Sequence, residues 1–426
     1  MTQEINEPNP TDASSSESVG LATRLQELAQ VFLKLGIIGF GGPQAHIAME
    51  NDEAVVRRQW MTQDEFTDGL AVCEMLPGPA STQMGIYIGY VRAGQLGALV
   101  AGLSFIAPAF LIVVALSWAY FRYQGLPQVE ALFFGVSPVV VAIVLGFCWK
   151  LGKKAIQQWH HALIAIAVFV LTLISPISVL LQFIIAGLIG LWLYGPRGPY
   201  ALTPPSNRAN GWLLPILPSL SIVPTVLGTA TADVLSLSSF WGWERIQDYF
   251  VPLTTFFIKV GAFIFGGGLV IIPLLEFEVV DTLNWLTRSE FINGVAIGQL
   301  SPGPVVLTSA FIGYKVAGCL GALVSAIAIF LPSFAFIMLA SPLLLKLRQN
   351  PWIKGFLRGV MPGVLGAIAA ALIPIAQSAF LQETWPMSLG AIAIGIAALG
   401  ALLRYKTPTW QLVPAGAILG LIIGIL

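Results

Sequence analysis

The sequence predicts an all-α polytopic membrane protein made of two inverted-topology repeats with broken or re-entrant helices, and three observations carry that prediction. Of 426 residues, 56% are hydrophobic and only 10% charged, whereas a soluble globular chain carries roughly 25% charged residues; the mean hydropathy is +0.82. The second half of the chain repeats the first. Each half also interrupts a lipid-compatible stretch with Pro-Gly-Pro, at Pro77-Gly78-Pro79 and at Pro302-Gly303-Pro304.

The elements follow in chain order. Residues 1–20 are acidic and Ser/Pro-rich, without a basic or apolar leader region, and read as a disordered tail. Apolar stretches fall at 25–42, 96–121, 130–149, 162–174 with 177–194, 252–275, 318–345, 355–376, 387–403 and 409–425. At roughly 20 residues per crossing these make about 10–13 membrane segments. The first repeat is taken as 21–195, a Pro/Ser/Asn-rich linker as 196–249 and the second, inverted repeat as 250–426.

Placing residue 32 on residue 257, an offset of 225 (257 − 32), superposes FLKLGIIGFGG on FIKVGAFIFGG and Trp60–Phe66 on Trp285–Phe291. The two Pro-Gly-Pro runs coincide at the same offset. After a one-residue gap Ile88-Gly89-Tyr90 falls on Ile312-Gly313-Tyr314, Pro108 on Pro332, and Gly135-Val136 on Gly359-Val360. Shared hydrophobicity would leave the glycines and prolines out of register, so the halves are duplicates. Duplicated halves with matching helix breaks mark secondary transporters, which bind substrate at the repeat interface.

Basic residues orient the copies. Arg57, Arg58, Arg92, Lys150, Lys153, Lys154, Arg197 and Arg208 share a side with Lys346, Arg348, Lys354, Arg404 and Lys406 only if the second copy is inverted. The segment 66–91 either enters and returns as a hairpin or spans fully, with 212–232 as an added helix; both models invert the copies.

Irregular backbone at membrane depth survives only where it is buried in protein or lines a wet cavity, so a duplicated break points to a cavity. Pro79 and Pro304 suit the first position of new half-helices, whose free N–H groups and positive dipole end favour an anion. Ser81, Thr82 and Gln83 add polar donors to the first mouth, where the second has Val306, Leu307 and Thr308. Gly41, Gly42 and Pro43, and likewise Gly266 and Gly267, end the first helix of each half, as a plain terminus or as a close approach to ligand.

Lys34 and Lys259 are matched lysines in apolar helices, each needing a partner or a pathway unless it snorkels to the interface. Glu74 beside the first break is the proton-coupling candidate, with hydrogen bonding to the freed backbone as its other reading; its counterpart Gln299 cannot titrate. Arg92 and Lys315 are secondary candidates, as interface anchors or anion attractors. Thr62 with Glu65, and Thr287 with Glu290, read as capping boxes. His46, with no partner at ligand spacing, reads as a loop residue, with proton relay as its minor alternative. No His/Cys cluster holds a metal, no nucleotide-binding or hydrolase motif is present, and neither a cofactor nor a nucleic-acid partner is expected.

The motifs FGGPQAHIAME, W-x-T-x-x-E-F and E-x-L-P-G-P, with FGG, W-x-T-x-x-E-F and Q-x-S-P-G-P in the second half, resemble the chromate ion transporter family in its long, two-domain form. The resemblance runs from about residue 28 to the C-terminus. It implies a multi-pass transporter of the bacterial inner membrane that exports chromate and confers chromate resistance, driven by the membrane potential or proton gradient. Chromate and the similar dianion sulfate are the implied substrates. Oxyanion uptake and an intramembrane enzyme are the alternatives, and a homodimer is one assembly the sequence allows. The family motifs carry over to Phe40, Gly41, Gly42 and Pro43, to Pro77, Gly78 and Pro79, and to Pro302, Gly303 and Pro304. Gly268 stands where the second FGGP would have proline.

Overall fold

The computed structural model describes residues 20–175, 177–196, 199–200, 240–265, 268–340, 350–382 and 384–425. The acidic tail up to residue 19, most of the linker, Gly266, Gly267, Arg197, Arg208, Lys346 and Arg348 lie outside the described residues. The described residues form helices and no strand, as hydrocarbon demands of segments that must satisfy their own backbone.

Each half opens with two helical hairpins. α1 (Leu21–Ile38) leads to the glycine turn at Gly39–Gly42, and α2 (Pro43–Asn51) returns beside it into a π-helical turn, Asp52–Arg57. Pro43 opens α2, where a missing N–H costs nothing. α3 (Gln63–Cys73) begins with the expected capping box: Thr62 N–H donates to Glu65 at 2.8 Å, and Glu65 N–H donates to the Thr62 hydroxyl at 3.2 Å. Beyond the Pro-Gly-Pro break comes α4 (Ala80–Tyr123). The ring of Tyr87 lies against Gly69, a pair that a collinear broken helix would hold about 25 Å apart at about 1.5 Å per residue. The break is therefore the tip of a hairpin, the first of the two sequence models. α4 itself reverses at Ala93 and Gly94, the latter at φ 64° where a side chain would be strained. Its short arm (80–92) folds back on its long arm (95–123), with Gly89 against Gly97.

The second half repeats these devices. α8 (Trp243–Gly261) starts within the stretch taken as linker, followed by α9 (Ile271–Leu275), a second π-helical turn at Glu276–Thr282, and α10 (Arg288–Leu300) behind the Thr287–Glu290 box. α11 (Thr308–Ala340) reverses at Ala317–Gly318, with φ 61° at the glycine. Phe311 lies on Gly294 and Thr308 on Gly298, so this break is also a hairpin tip. The one-residue gap in the alignment falls where the second half enters α11 through a 3-10 turn, Val305–Leu307, which winds more tightly than the α-helix of the first.

α5 (Pro127–Ala155), α6 (Trp159–Ile174) and α7 (Val179–Tyr194) complete the first half, and α12 (Pro351–Phe380), α13 (Trp385–Arg404) and α14 (Thr409–Ile425) the second. Among the described residues, α4, α5, α11, α12 and α13 are long and apolar enough to cross a membrane, and α6, α7 and α14 are shorter apolar helices. The last helices are exchanged: α6 and α7 pack on α12, while α13 and α14 pack on α5. A methyl on Gly359 would collide with the Ala186 carbonyl, and one on Gly135 with the Gly416 carbonyl. Small residues that let backbones touch are the usual means of helix association in lipid, where no hydrophobic drive separates helix from solvent.

This topology gathers Arg57, Arg58, Arg92, Lys150, Lys153, Lys154, Lys354, Arg404 and Lys406 at the helix ends of one face, with Glu27, Asp52 and Glu74 among their partners, and Glu130, Glu244, Asp281 and Glu290 at those of the other, together with Arg122, Arg245, Arg288 and Lys315. The chain is a multi-pass membrane protein of two inverted repeats.

Candidate functional site at the crossed helix breaks

The two Pro-Gly-Pro tips meet the opposite half. Gly78 N–H donates to the Ile264 carbonyl at 2.7 Å, just past the end of α8. Under the 225 offset (39 + 225 = 264) the counterpart of Ile264 is Gly39, and a methyl on Gly39 would stand 2.9 Å from the Pro302 carbonyl. The same exchange holds laterally: Gly78 abuts the Ser333 hydroxyl on the α11 long arm, and Gly303 abuts Ala109 on the α4 long arm. Each break thus crosses onto the other half near the middle of a long arm.

His46 ties the crossing. Its Nε2 lies 2.5 Å from the Gly39 carbonyl and 3.1 Å from the Pro302 carbonyl. Two acceptors require Nε2 to carry hydrogen, which leaves Nδ1 facing the Ser81 hydroxyl at 3.4 Å. His46 is helical, 1% exposed and edge-on to Phe105, so the loop reading is corrected. Proline at the helix start draws it into α2, and its partners lie far away in sequence.

The two mouths differ in chemistry. Ser81, Thr82 and Gln83 are buried in the first turn of α4, where the Gln83 N–H donates to the Pro79 carbonyl at 3.0 Å and the N–H groups of Ser81 and Thr82 precede the first intrahelical bond. Gln83 Nε2 donates to the Pro77 carbonyl at 2.7 Å, quieting one acceptor of the break. The Thr82 hydroxyl, Gln83 Oε1 and the Ser333 hydroxyl have no protein partner. At the second break Ser301 donates to the Gly298 carbonyl at 2.8 Å and Thr308 to the Val305 carbonyl at 2.9 Å, while the buried Ser309 hydroxyl and Gln299 Nε2 have no protein partner. Val306 and Leu307 fill its mouth. The first break therefore presents buried, unengaged hydroxyls beside a helix N-terminus, a set that can donate to an oxyanion.

The remaining sequence candidates fall elsewhere. Lys34 Nζ is held by Glu53 at 2.8 Å and Lys259 Nζ by Glu278 at 3.2 Å. These are the partners the lysines required, and they match under the same offset (53 + 225 = 278). Arg92 pairs with Glu27 at 3.0 Å and lies over Trp60, while Lys315 pairs with Glu290 at 2.6 Å and lies over Phe121. Both sit beside helix reversals. Gly41 and Gly42 make the α1–α2 turn with φ of 119° and 79°. The Glu74 side chain is 46% exposed and reaches only Lys154, at 3.8 Å. Gln299 is buried with its Nε2 unpartnered.

Sequence reasoning missed His46, Ser333 and Glu50. The last is 1% exposed on α2 with both carboxylate oxygens unpartnered. Its signal was present: His46 and Glu50 are four apart, a spacing that puts both on one helix face. Among the described residues no group of acidic, His and Cys side chains could hold a metal ion.

Inverted halves with crossed, re-entrant breaks define the architecture of a secondary transporter. The chromate transporter family model matches residues 26–191 and 251–421, and the chain belongs to that family. It is 34% identical to a chromate transport protein of Cupriavidus metallidurans over 97% of both chains. It is 36% identical to a probable chromate transport protein of Synechococcus elongatus over 90% of this chain and 92% of the relative. Identity with a chromate transport protein of Pseudomonas aeruginosa is 28% over 95% and 93% of the two chains. No solved structure matches this chain.

Proposed function

We propose that this chain exports chromate across a bacterial inner membrane, from a basic cytoplasmic face to an acidic outer face, and so confers chromate resistance. The observation that carries the reading is the crossed break of the first half, where Gln83 and Ser333 crowd Gly78 and the buried Ser81 and Thr82 open α4. The names of the relatives supply chromate as the oxyanion. Pro77, Gly78, Pro79 and Ser81–Gln83 are assigned to the dianion, with Pro302, Gly303 and Pro304 as the opposing wall. Gly41, Gly42 and Pro43 form the turn that carries His46 to the crossing.

Charge at two matched positions, Glu130 with Lys354 and Ser378 with Lys154, supports export. A cavity of about 490 Å3 opens at the acidic face between α4, α5, α10 and the end of α12, with Glu130, Glu290, Asn293 and Ser378 in its lining. Under the 224 offset the counterparts at the other face are Lys354 for Glu130 (130 + 224) and Lys154 for Ser378 (378 − 224), while under the 225 offset Glu290 and Asn293 match Glu65 (290 − 225) and Asp68 (293 − 225). Lys154 and Lys354 favour a dianion at the entrance, and Glu130 disfavours one at the exit, where Glu290 is neutralised by Lys315 at 2.6 Å. Placing the basic face inside follows the positive-inside rule. A membrane potential negative inside then contributes about 4.6 kcal/mol per 100 mV to outward movement of two charges.

Chromate content of cells carrying the gene tests the direction. Export lowers it relative to empty-vector cells; a rise would replace export with oxyanion uptake.

A further inference from the structure

We propose that Glu50 is the proton-carrying group of the transport cycle, a role that rests on the transporter reading above and deepens it. The observation is geometric. Glu50 is buried against Phe32 of α1 and Gly85 of the α4 short arm, with Oε1 3.2 Å from where a methyl on Gly85 would stand. The missing side chain at Gly85 makes room for the carboxyl. Neither oxygen has a partner. The second half has Leu275 at the matched position (50 + 225), also fully buried, so packing alone does not call for an acid here.

Glu50 also stands in line with the crossing. On α2, His46 lies one turn inward from it; on α4, Ser81 lies one turn inward from Gly85. His46 and Ser81 face each other at 3.4 Å, so the carboxyl forms the next rung outward, toward the basic face. The π-helical turn Asp52–Arg57 begins two residues on, and such turns concentrate at functional sites.

The surroundings offer no counter-charge. α1 contributes Phe32 and, further out, Lys34, which is held by Glu53. α3 contributes the Cys73 thiol, and the α4 short arm carries Tyr90, Tyr87, whose ring lies over Gly69 of α3, and Arg92, which is held by Glu27. On α2 itself stands His46, whose Nε2 is committed to two carbonyls, and on the π-helical turn that continues it Asp52 is held by Arg57 and Glu53 by Lys34 and Arg58. An ionised carboxylate without a partner at membrane depth costs several kcal/mol, so the packed arrangement accepts the neutral acid. Opening of the α1–α2 hairpin toward water lets the proton leave; only the O–H bond forms and breaks.

The test uses the full chain in liposomes with the membrane potential clamped at zero. A pH gradient alone is expected to drive labelled chromate accumulation in the wild type. Glu50→Gln, an isosteric replacement, is expected to lose that accumulation at least tenfold while retaining chromate–chromate exchange. A lumenal pH dye in wild-type liposomes, which needs no variant, should report proton movement on chromate addition. Gradient-driven accumulation by Glu50→Gln at the wild-type level overturns the proposal, as does its loss in Glu74→Gln instead. Wild-type exchange without any response to the pH gradient overturns it alone. Absence of every chromate and sulfate flux in the wild type overturns the transporter reading, and this proposal with it.

Discussion

The two halves share a backbone plan but not a chemistry. Both place a hairpin tip at the crossing, both reverse at an Ala-Gly pair and both carry a π-helical turn. At the positions that matter, His46, Glu50, Ser81 and Thr82 of the first half face Ile271, Leu275, Val306 and Leu307 of the second. Duplication supplies the symmetric frame that two inverted entrances need, and these four polar side chains occur in one copy, while the second break keeps Ser301, Thr308 and Ser309. The first break reads as the ligand mouth and the second as the wall against which it works.

Exchanging the chemistry of the halves gives the largest expected effect. The double change Ser81→Val with Thr82→Leu copies the second mouth into the first and removes two hydroxyl donors, each worth about 1.5–3 kcal/mol toward a charged acceptor. Chromate flux in liposomes is expected to fall about 100-fold, whereas the reverse exchange, Val306→Ser with Leu307→Thr, gains none. Equal loss from both exchanges would dissolve the comparison.

His46→Ile, the residue of the second copy, leaves the Gly39 and Pro302 carbonyls unpaired in a buried place. It is expected to destabilise by about 1–3 kcal/mol, read as a lower midpoint of thermal unfolding in detergent. An unchanged midpoint would mean that the carbonyls find other donors and that His46 does not tie the halves.

Glu130→Lys makes the acidic exit resemble its basic counterpart at Lys354. Export is expected to slow a few-fold at low ionic strength, with the difference shrinking as salt screens it over a Debye length of about 8–10 Å. A salt-independent effect would point to altered packing of α5 instead.

The matched ion pairs give the smallest effect, and they sharpen the comparison. Glu53 keeps Arg58 at 3.2 Å and Arg57 at 3.7 Å when Lys34 is removed, whereas Glu278 keeps only the Ser178 hydroxyl at 3.2 Å among its described partners. Lys259→Met is therefore expected to cost more than Lys34→Met, with both within about 1 kcal/mol because the lysines are largely exposed. Thermal unfolding ranks them, and chromate affinity should move with neither.

Much of this was legible in the sequence for a physical reason. Glycine and proline mark backbone events that no other residue reproduces, so the duplicated breaks were visible at one offset, where the Thr-x-x-Glu capping boxes also coincide, while the reversals at Ala93-Gly94 and Ala317-Gly318 came only with the structure. Packing between apolar faces leaves no such mark. The exchange of α6 and α7 onto α12, and of α13 and α14 onto α5, depends on glycines that meet across halves, and nothing in their spacing names a partner. The lysine partners were hidden at a separation of 19 residues, although Lys34–Glu53 and Lys259–Glu278 recur at the same offset. His46 was missed because α2 was read as loop, and Glu50 because attention fell on Glu74, which is closer to the break in sequence yet half-exposed in space.

The most direct test locates the anion itself. In crystals of the full chain grown with chromate, anomalous scattering from chromium is predicted to place one peak beside the first turn of α4, within hydrogen-bonding reach of Ser81 or Thr82. A peak confined to the lysines of α1 and α8, to the second break, or to the acidic cavity would contradict the assignment of the first break as the dianion mouth.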